Sequence, residues 1–179
     1  MQIASSAFSR DANRIAITEN GLLVQKAVTF TGSGATVATP IFKVTGSVHV
    51  LALYGICTTV FGATHTDAHW RINDQTATDV VLSKTTTLDI SGISVGAMIV
   101  KDVLAATKAT YKSSDVGSVL EPAVVQTQVF SPFLVVQKTG GIETDIEYVY
   151  TTADTPTSGA MTFYCGFVPL SANGTITSL

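Results

Sequence analysis

The sequence predicts an all-β fold, a β-sandwich or jelly roll with an extended N-terminal arm, and three observations carry that expectation. Thr (27), Val (21) and Ile (12) make up a third of the 179 residues; branching at Cβ restricts χ1, crowds a helix and suits a pleated sheet. Short apolar runs recur at fairly even spacing, each closed by a turn cluster, the pattern of a sandwich rather than a helical bundle. Only 13% of residues are charged and mean hydropathy is +0.38, which excludes disorder and suits one domain with a substantial core.

The elements follow from the runs in turn. Residues 1–21 are polar, mixed in charge and aperiodic, so they read as an arm, and residues 22–179 read as the sandwich domain. Strands are expected over 22–31, closed by Gly32-Ser33-Gly34, over 35–45, closed by Gly46-Ser47, and over 48–60, followed by a tip at 62–67. Shorter runs over 69–73, 79–82, 86–90 and 97–100 also read as strands. After a more polar stretch, 101–121, strands resume over 127–137, 143–151 and 160–168. The one helix candidate, 100–110, is short and poorly capped.

Two runs say more than their length. In 143–150, Ile146, Tyr148 and Tyr150 alternate with Glu143, Asp145 and Glu147, which predicts a half-buried strand whose acidic outer face is solvated or guards a sheet edge. Over 48–60 both faces are apolar: Val48, Val50, Ala52, Tyr54 and Ile56 on one, Leu51, Leu53 and Cys57 on the other. Such a strand is covered on both sides, and in a one-domain sandwich the second cover is expected to be another chain, with Leu51 and Leu53 at the contact. The predicted core is Val50, Leu51, Leu53, Ile56, Trp70, Leu88, Ile90, Leu134, Val136, Ile146, Tyr148, Phe163 and Phe167.

Composition and motifs then narrow the function. Net charge is −3 and the ten Lys and Arg are scattered singly; phosphate backbones demand clustered cations, so no nucleic-acid partner is expected. Cys57 and Cys165 sit in apolar stretches and read as buried, inert thiols. The first residues lack the pattern of a signal peptide, and the uncharged runs 44–66 and 155–179 are broken by Gly, Thr and Ser, so no membrane segment is expected.

Gly92-Ile93-Ser94-Val95-Gly96 spells a nucleophile elbow, but that device needs a helix after it and a downstream histidine. Here Ala97-Met98-Ile99-Val100 reads as strand, and His49, His65 and His69 all lie upstream. No catalytic residue is expected. His65, Asp67 and His69 have the one metal-like spacing, sharing a face if the segment is a regular strand; a polar hairpin tip is the favoured reading. Gly32-Ser33-Gly34 lacks the Lys of a phosphate loop, and no cofactor is expected.

Three segments share a further pattern: Ser9-Arg10-Asp11-Ala12-Asn13-Arg14-Ile15-Ala16-Ile17; the stretch 42–60 with Tyr54-Gly55-Ile56-Cys57-Thr58-Thr59-Val60, followed by Leu88-Asp89-Ile90-Ser91-Gly92; and Gly166-Phe167-Val168-Pro169-Leu170-Ser171 trailing into Gly174-Thr175-Ile176-Thr177. Together they resemble small bacteriophage virion structural proteins of the capsid decoration or cement type. The resemblance implies a non-enzymatic protein of the virion, made in the bacterial host cytoplasm and placed on the capsid surface. It implies the major capsid protein and copies of the chain itself as partners, with a homotrimer expected because such proteins often sit on threefold axes. In that setting Arg10, Asp11, Asn13 and Arg14 would hydrogen-bond to a neighbouring surface while Ile15 and Ile17 anchor in an apolar groove. The other reading is a tail- or fibre-associated host-recognition module, binding glycans or protein, with Trp70 beside His69 and Arg71 as its candidate stacking ring.

Overall fold

A chain this rich in β-branched residues satisfies its backbone through ladders, and the computed structural model does so throughout the residues it describes: 21–30, 35–62, 65–75, 79–83, 89–101, 111–112, 132–138, 143–152 and 159–179. Among these there is no helix. The strands are β1 (Leu22–Thr29), β2 (Thr36–Thr45), β3 (Ser47–Thr59), β4 (His65–Asn73), β5 (Val80–Val81), β6 (Met98–Val100), β7 (Tyr111–Lys112), β8 (Phe133–Val136), β9 (Thr144–Thr152), β10 (Ala160–Pro169) and β11 (Thr175–Ser178). They form two antiparallel sheets. Sheet A runs β1-β10-β3-β6-β7 with β8 also paired to β3, and sheet B runs β11-β2-β9-β4-β5. The all-β expectation holds, with the sheets packed as a sandwich.

The core lies between the sheets and is strongly aromatic. Phe163 packs edge-on against Trp70 at 5.3 Å between ring centres, Tyr148 lies 5.1 Å from Phe163, and Phe30 meets Tyr150 edge-on at 5.1 Å. Rings in these tilted and edge-to-face poses place positive edges on negative faces, adding to the area they bury. The inward rows are completed by Phe42, Val50, Ile146 and Phe167.

Several expectations are corrected here. Over residues 132–138 the predicted inward pair, Leu134 and Val136, is 65% and 68% exposed, and Val135 is buried instead. The run Phe133-Leu134-Val135-Val136 is apolar at every position, so alternation could not choose its inner face. Leu51 and Leu53, expected together on a contact face, part company. Gly166 pairs with Ala52 but Phe167 pairs with Val50, so Leu51 is an extra residue in β3. Such a bulge reverses which side chains point inward beyond it. Leu53, expected both in the core and at a contact, therefore joins Val48 and Val50 inside this chain's own core at 2% exposure, as its place in the predicted core required. Leu51, also placed in the predicted core, is only half-buried.

β4 begins at His65, where a loop tip was expected, and β7 and β11 add strands that the run-by-run reading did not separate. No strand covers Asp89 or Ile90. The arm contacts Arg10, Asp11, Asn13, Arg14, Ile15 and Ile17 lie outside the described residues, as do Leu88 and residues 102–110 of the helix candidate; its first residue, Val100, closes β6.

Candidate functional site

The metal-like triplet is taken apart by backbone geometry. Thr66 pairs with Thr151 and His69 with Val149, so two β4 residues, Asp67 and Ala68, face one residue of β9. Asp67 takes φ 56°, the left-handed conformation that lets a bulge form, and which Asp tolerates better than most residues. One inserted residue puts His65 and His69 on opposite faces of sheet B. His65 points into the core, 1% exposed, stacked on Tyr150 at 4.3 Å and 9° between planes and close to Phe61 at 4.4 Å. Burial lowers its pKa to about 4, against a smaller upward pull from Asp89. His69 lies on the outer side with Nδ1 2.6 Å from the Asp67 carbonyl oxygen. The expectation that all three could share a face does not survive, and among the described residues no group of three His, Cys, Asp or Glu converges as metal ligands would.

Ser94 sits between turns at Gly92 and Gly96, and the chain then enters β6 rather than a helix. The Gly96 and Ala97 N–H groups donate to the Cys57 and Ser94 carbonyls at 2.8 and 3.0 Å, which makes this a turn feeding β6 of sheet A. Trp70, the candidate sugar-stacking ring, is fully buried with Tyr148 and Phe163 against it, so it offers no face to a ligand. Cys57 and Cys165 are unbridged and buried, and desolvation pushes both thiols above their ordinary range.

The acidic row occupies a different place from the one its pattern suggested. β9 is the middle strand of sheet B, so Asp145 and Glu147 guard no edge, and at 6% and 3% exposure they are not solvated. Glu147 accepts from Arg71 Nε at 2.6 Å and from Asn73 Nδ2 at 2.9 Å, and Arg71 also pairs with Asp79. Both Glu147 oxygens are thus engaged, which holds the charge in place rather than presenting it to a substrate. Asp145 lies in register between Lys43 and Asn73 with Oδ1 unpartnered. Burial, with Glu143 and Glu147 adding like charge, raises its carboxyl above the usual range, while Lys43 opposes the shift. Lys43 is itself paired with Glu143.

What the strands do jointly is sort charge. On paired antiparallel strands, residues directly opposite share a face. On the outer side of sheet A, Leu23, Gly166 and Ala52 form one cross-strand row, and Gln25, Tyr164 and Tyr54 the next. Tyr54 and Tyr164 stack at 5.0 Å and 14°. Further along stand Val168, His49 and Leu134, then Ser47 opposite Val136. Of the strands of sheet A, β7 carries Lys112 and the other five carry one charged residue between them, Lys26, which stands opposite inward-facing Phe163. The outer side of sheet B is the reverse, carrying Lys43, Arg71, Asp145 and Glu147. This partition was available from the sequence as a count of charge per strand, but only the pairing shows that it divides two faces. No protein family, curated protein or solved structure matches the chain.

Proposed function

We propose that the chain is a non-enzymatic virion structural protein that decorates or cements a bacteriophage capsid, working as an oligomer and binding the major capsid protein. The observation that carries this reading is the sorting of charge: among the described residues, the outer side of sheet A is uncharged and exposes Leu23, Leu134 and Val136, while that of sheet B is laced with ion pairs. Large apolar side chains left exposed on a small domain mark a surface made to be covered. Capsid cement needs that and no turnover. The resemblance of residues 9–17, 42–60 and 166–177 to decoration proteins supports the same reading.

The test is to purify particles from infected cells, identify this chain by mass spectrometry and locate it in an electron-microscopy map. Many copies on the head support the reading. Absence from particles overturns it, and a few copies at a tail tip replace it with host recognition. Deleting residues 2–20 then tests the arm: attachment to heads should weaken while the sandwich stays folded. Undiminished binding would remove the arm from the attachment mechanism.

A further inference from the structure

We propose that Asn173-Gly174 is a spontaneous modification site, an asparagine that converts to aspartate or isoaspartate when β11 leaves its sheet and is held unreactive while β11 is in place. The chemistry belongs to the dipeptide. The backbone nitrogen of Gly174 attacks Cγ of Asn173, the new N–Cγ bond closes a succinimide ring, and the side-chain amide departs as ammonia with the proton that the attacking nitrogen gives up. Water from the solvent then opens the ring at either carbonyl, leaving aspartate or isoaspartate. Glycine after the asparagine favours this, because no Cβ crowds the attacking nitrogen. Asn173 is exposed, so water reaches it.

The folded geometry forbids ring closure. The Gly174 N–H donates to the Ser171 carbonyl at 2.9 Å, so residues 171–174 form a hydrogen-bonded turn with Asn173 third. Neither Ala172 nor Asn173 has a positive φ, which makes the turn type I, with ψ of Asn173 at about 0°. The ring needs the Gly174 nitrogen beside the Asn173 side chain, and rotation about that ψ is what brings it there. Rotation would break the turn bond and swing away the chain that follows. That chain is β11: Thr175 pairs with Thr45 and Ser178 with Phe42 on β2, Ile176 is 4% exposed in the core, and the Leu179 N–H donates to the Ile41 carbonyl at 3.1 Å. The side chain is held too. Ser171 Oγ accepts from the Ser47 N–H and donates to Asn173 Oδ1, both at 2.9 Å.

Packing explains why so labile a pair stands here. A methyl on Gly174 would run into the Ser47 carbonyl oxygen, so this close approach requires glycine. Gly46 leaves the room that the Asn173 side chain fills, since a methyl there would lie 2.6 Å from Oδ1. The clasp between residues 46–47 and 171–174 therefore both requires the reactive dipeptide and restrains it. Isoaspartate lengthens the backbone by one carbon just before Gly174, so the turn cannot regain its bond in register and β11 cannot redock as before. The modification thus records an opening of this edge irreversibly.

The experiment incubates the full chain at neutral pH and follows the one-dalton mass gain at Asn173 by peptide mapping, beside the same chain unfolded in urea. Mapping separates this site from the other Asn-Gly pair, Asn20-Gly21. Each turn bond is worth roughly a few-fold in an opening equilibrium, so with the β11 ladder added the folded chain should react at least about tenfold more slowly than the unfolded one. Ser171→Ala, which frees the Asn173 side chain, and Ile176→Ala, which weakens β11 from outside the turn, should each speed the folded reaction several-fold and leave the unfolded rate unchanged. Circular dichroism shows whether each variant is folded, and either one decides the matter if the other is not. Equal rates in folded and unfolded wild type, no reaction in either, or a folded rate that neither variant changes would overturn the proposal. Acceleration by Ser171→Ala alone, with Ile176→Ala folded, overturns the part given to β11.

Discussion

Acid should loosen this fold through one side chain. His65 is 1% exposed, with Tyr150 stacked on its ring, Phe61 beside it and Phe30 edge-on at 5.3 Å. Its Nε2 lies 3.4 Å from the Tyr148 hydroxyl, and the pull of Asp89 toward the charged form is smaller than the cost of burial. The folded pKa is about 4 against an ordinary 6.5, so the unfolded chain takes up a proton that the folded chain refuses. Stability from this group is therefore complete above pH 6.5 and drains away as pH falls toward about 4, where the folded state begins to protonate too. At about 1.36 kcal/mol per pH unit of difference, the full loss is about 3 kcal/mol, of which roughly 2.5 kcal/mol is gone at pH 4.5. Asp145, with its raised carboxyl, acts in the opposite sense, since its protonation at low pH favours the folded state. Urea denaturation at pH 7 and pH 4.5 should therefore be compared between wild type and His65→Phe, which keeps the ring and cannot titrate. The variant should lose roughly 2.5 kcal/mol less on acidification. Equal losses in the two proteins, or a His65 ring titrating near 6.5 by NMR in the folded state, would refute the reasoning.

Other expectations follow from the same contacts. Phe163→Ala should cost about 3–5 kcal/mol by thermal or chemical denaturation, since its ring meets Trp70, Tyr148 and Phe30 in the core. Gly55→Ala should cost about 1–3 kcal/mol, because the new methyl would stand 2.9 Å from the Phe163 ring, and its cost should shrink when combined with Phe163→Leu. Arg71→Ala leaves Glu147 buried without its cation and should cost about 3–5 kcal/mol in urea, with part recovered when both become Met; a loss under about 1 kcal/mol would show the pair to be unimportant. Cys57 and Cys165 should resist iodoacetamide in the native protein and react once unfolded, because burial disfavours both thiolates; rapid native labelling would contradict their placement.

The strands were legible because β-branched residues and turn clusters alternate along the chain, and an inward row such as Ile146, Tyr148 and Tyr150 could be named from period alone. Single inserted residues were not legible. Leu51 and the Asp67-Ala68 pair look like any other strand positions, yet each shifts the register and reverses the faces that follow. Of the two readings of Leu53, core and contact, the bulge decides for the core, and His65 and His69 were separated in the same way. Nor does alternation reveal a strand's position in its sheet: Asp145 and Glu147 had the pattern of an edge and belong to a centre, where Arg71, from another strand, makes burial tolerable. Trp70 fitted both an inward position and an exposed ring, and its neighbours across the sandwich decide for the former.

The order of strands also governs how the molecule comes into being. In sheet A, β10 stands between β1 and β3; in sheet B, β9 stands between β2 and β4. Both linchpins come from the last quarter of the chain, and none of the four long strands of the first 73 residues pairs with another of them. Leu22 must wait for Phe167, and Thr36 for Thr151. Closing loops of that span is slow, and the waiting segments are apolar. A ribosome-bound fragment ending before residue 144 has neither sheet's keystone, so its long apolar strands stay exposed to aggregation until the final strands arrive.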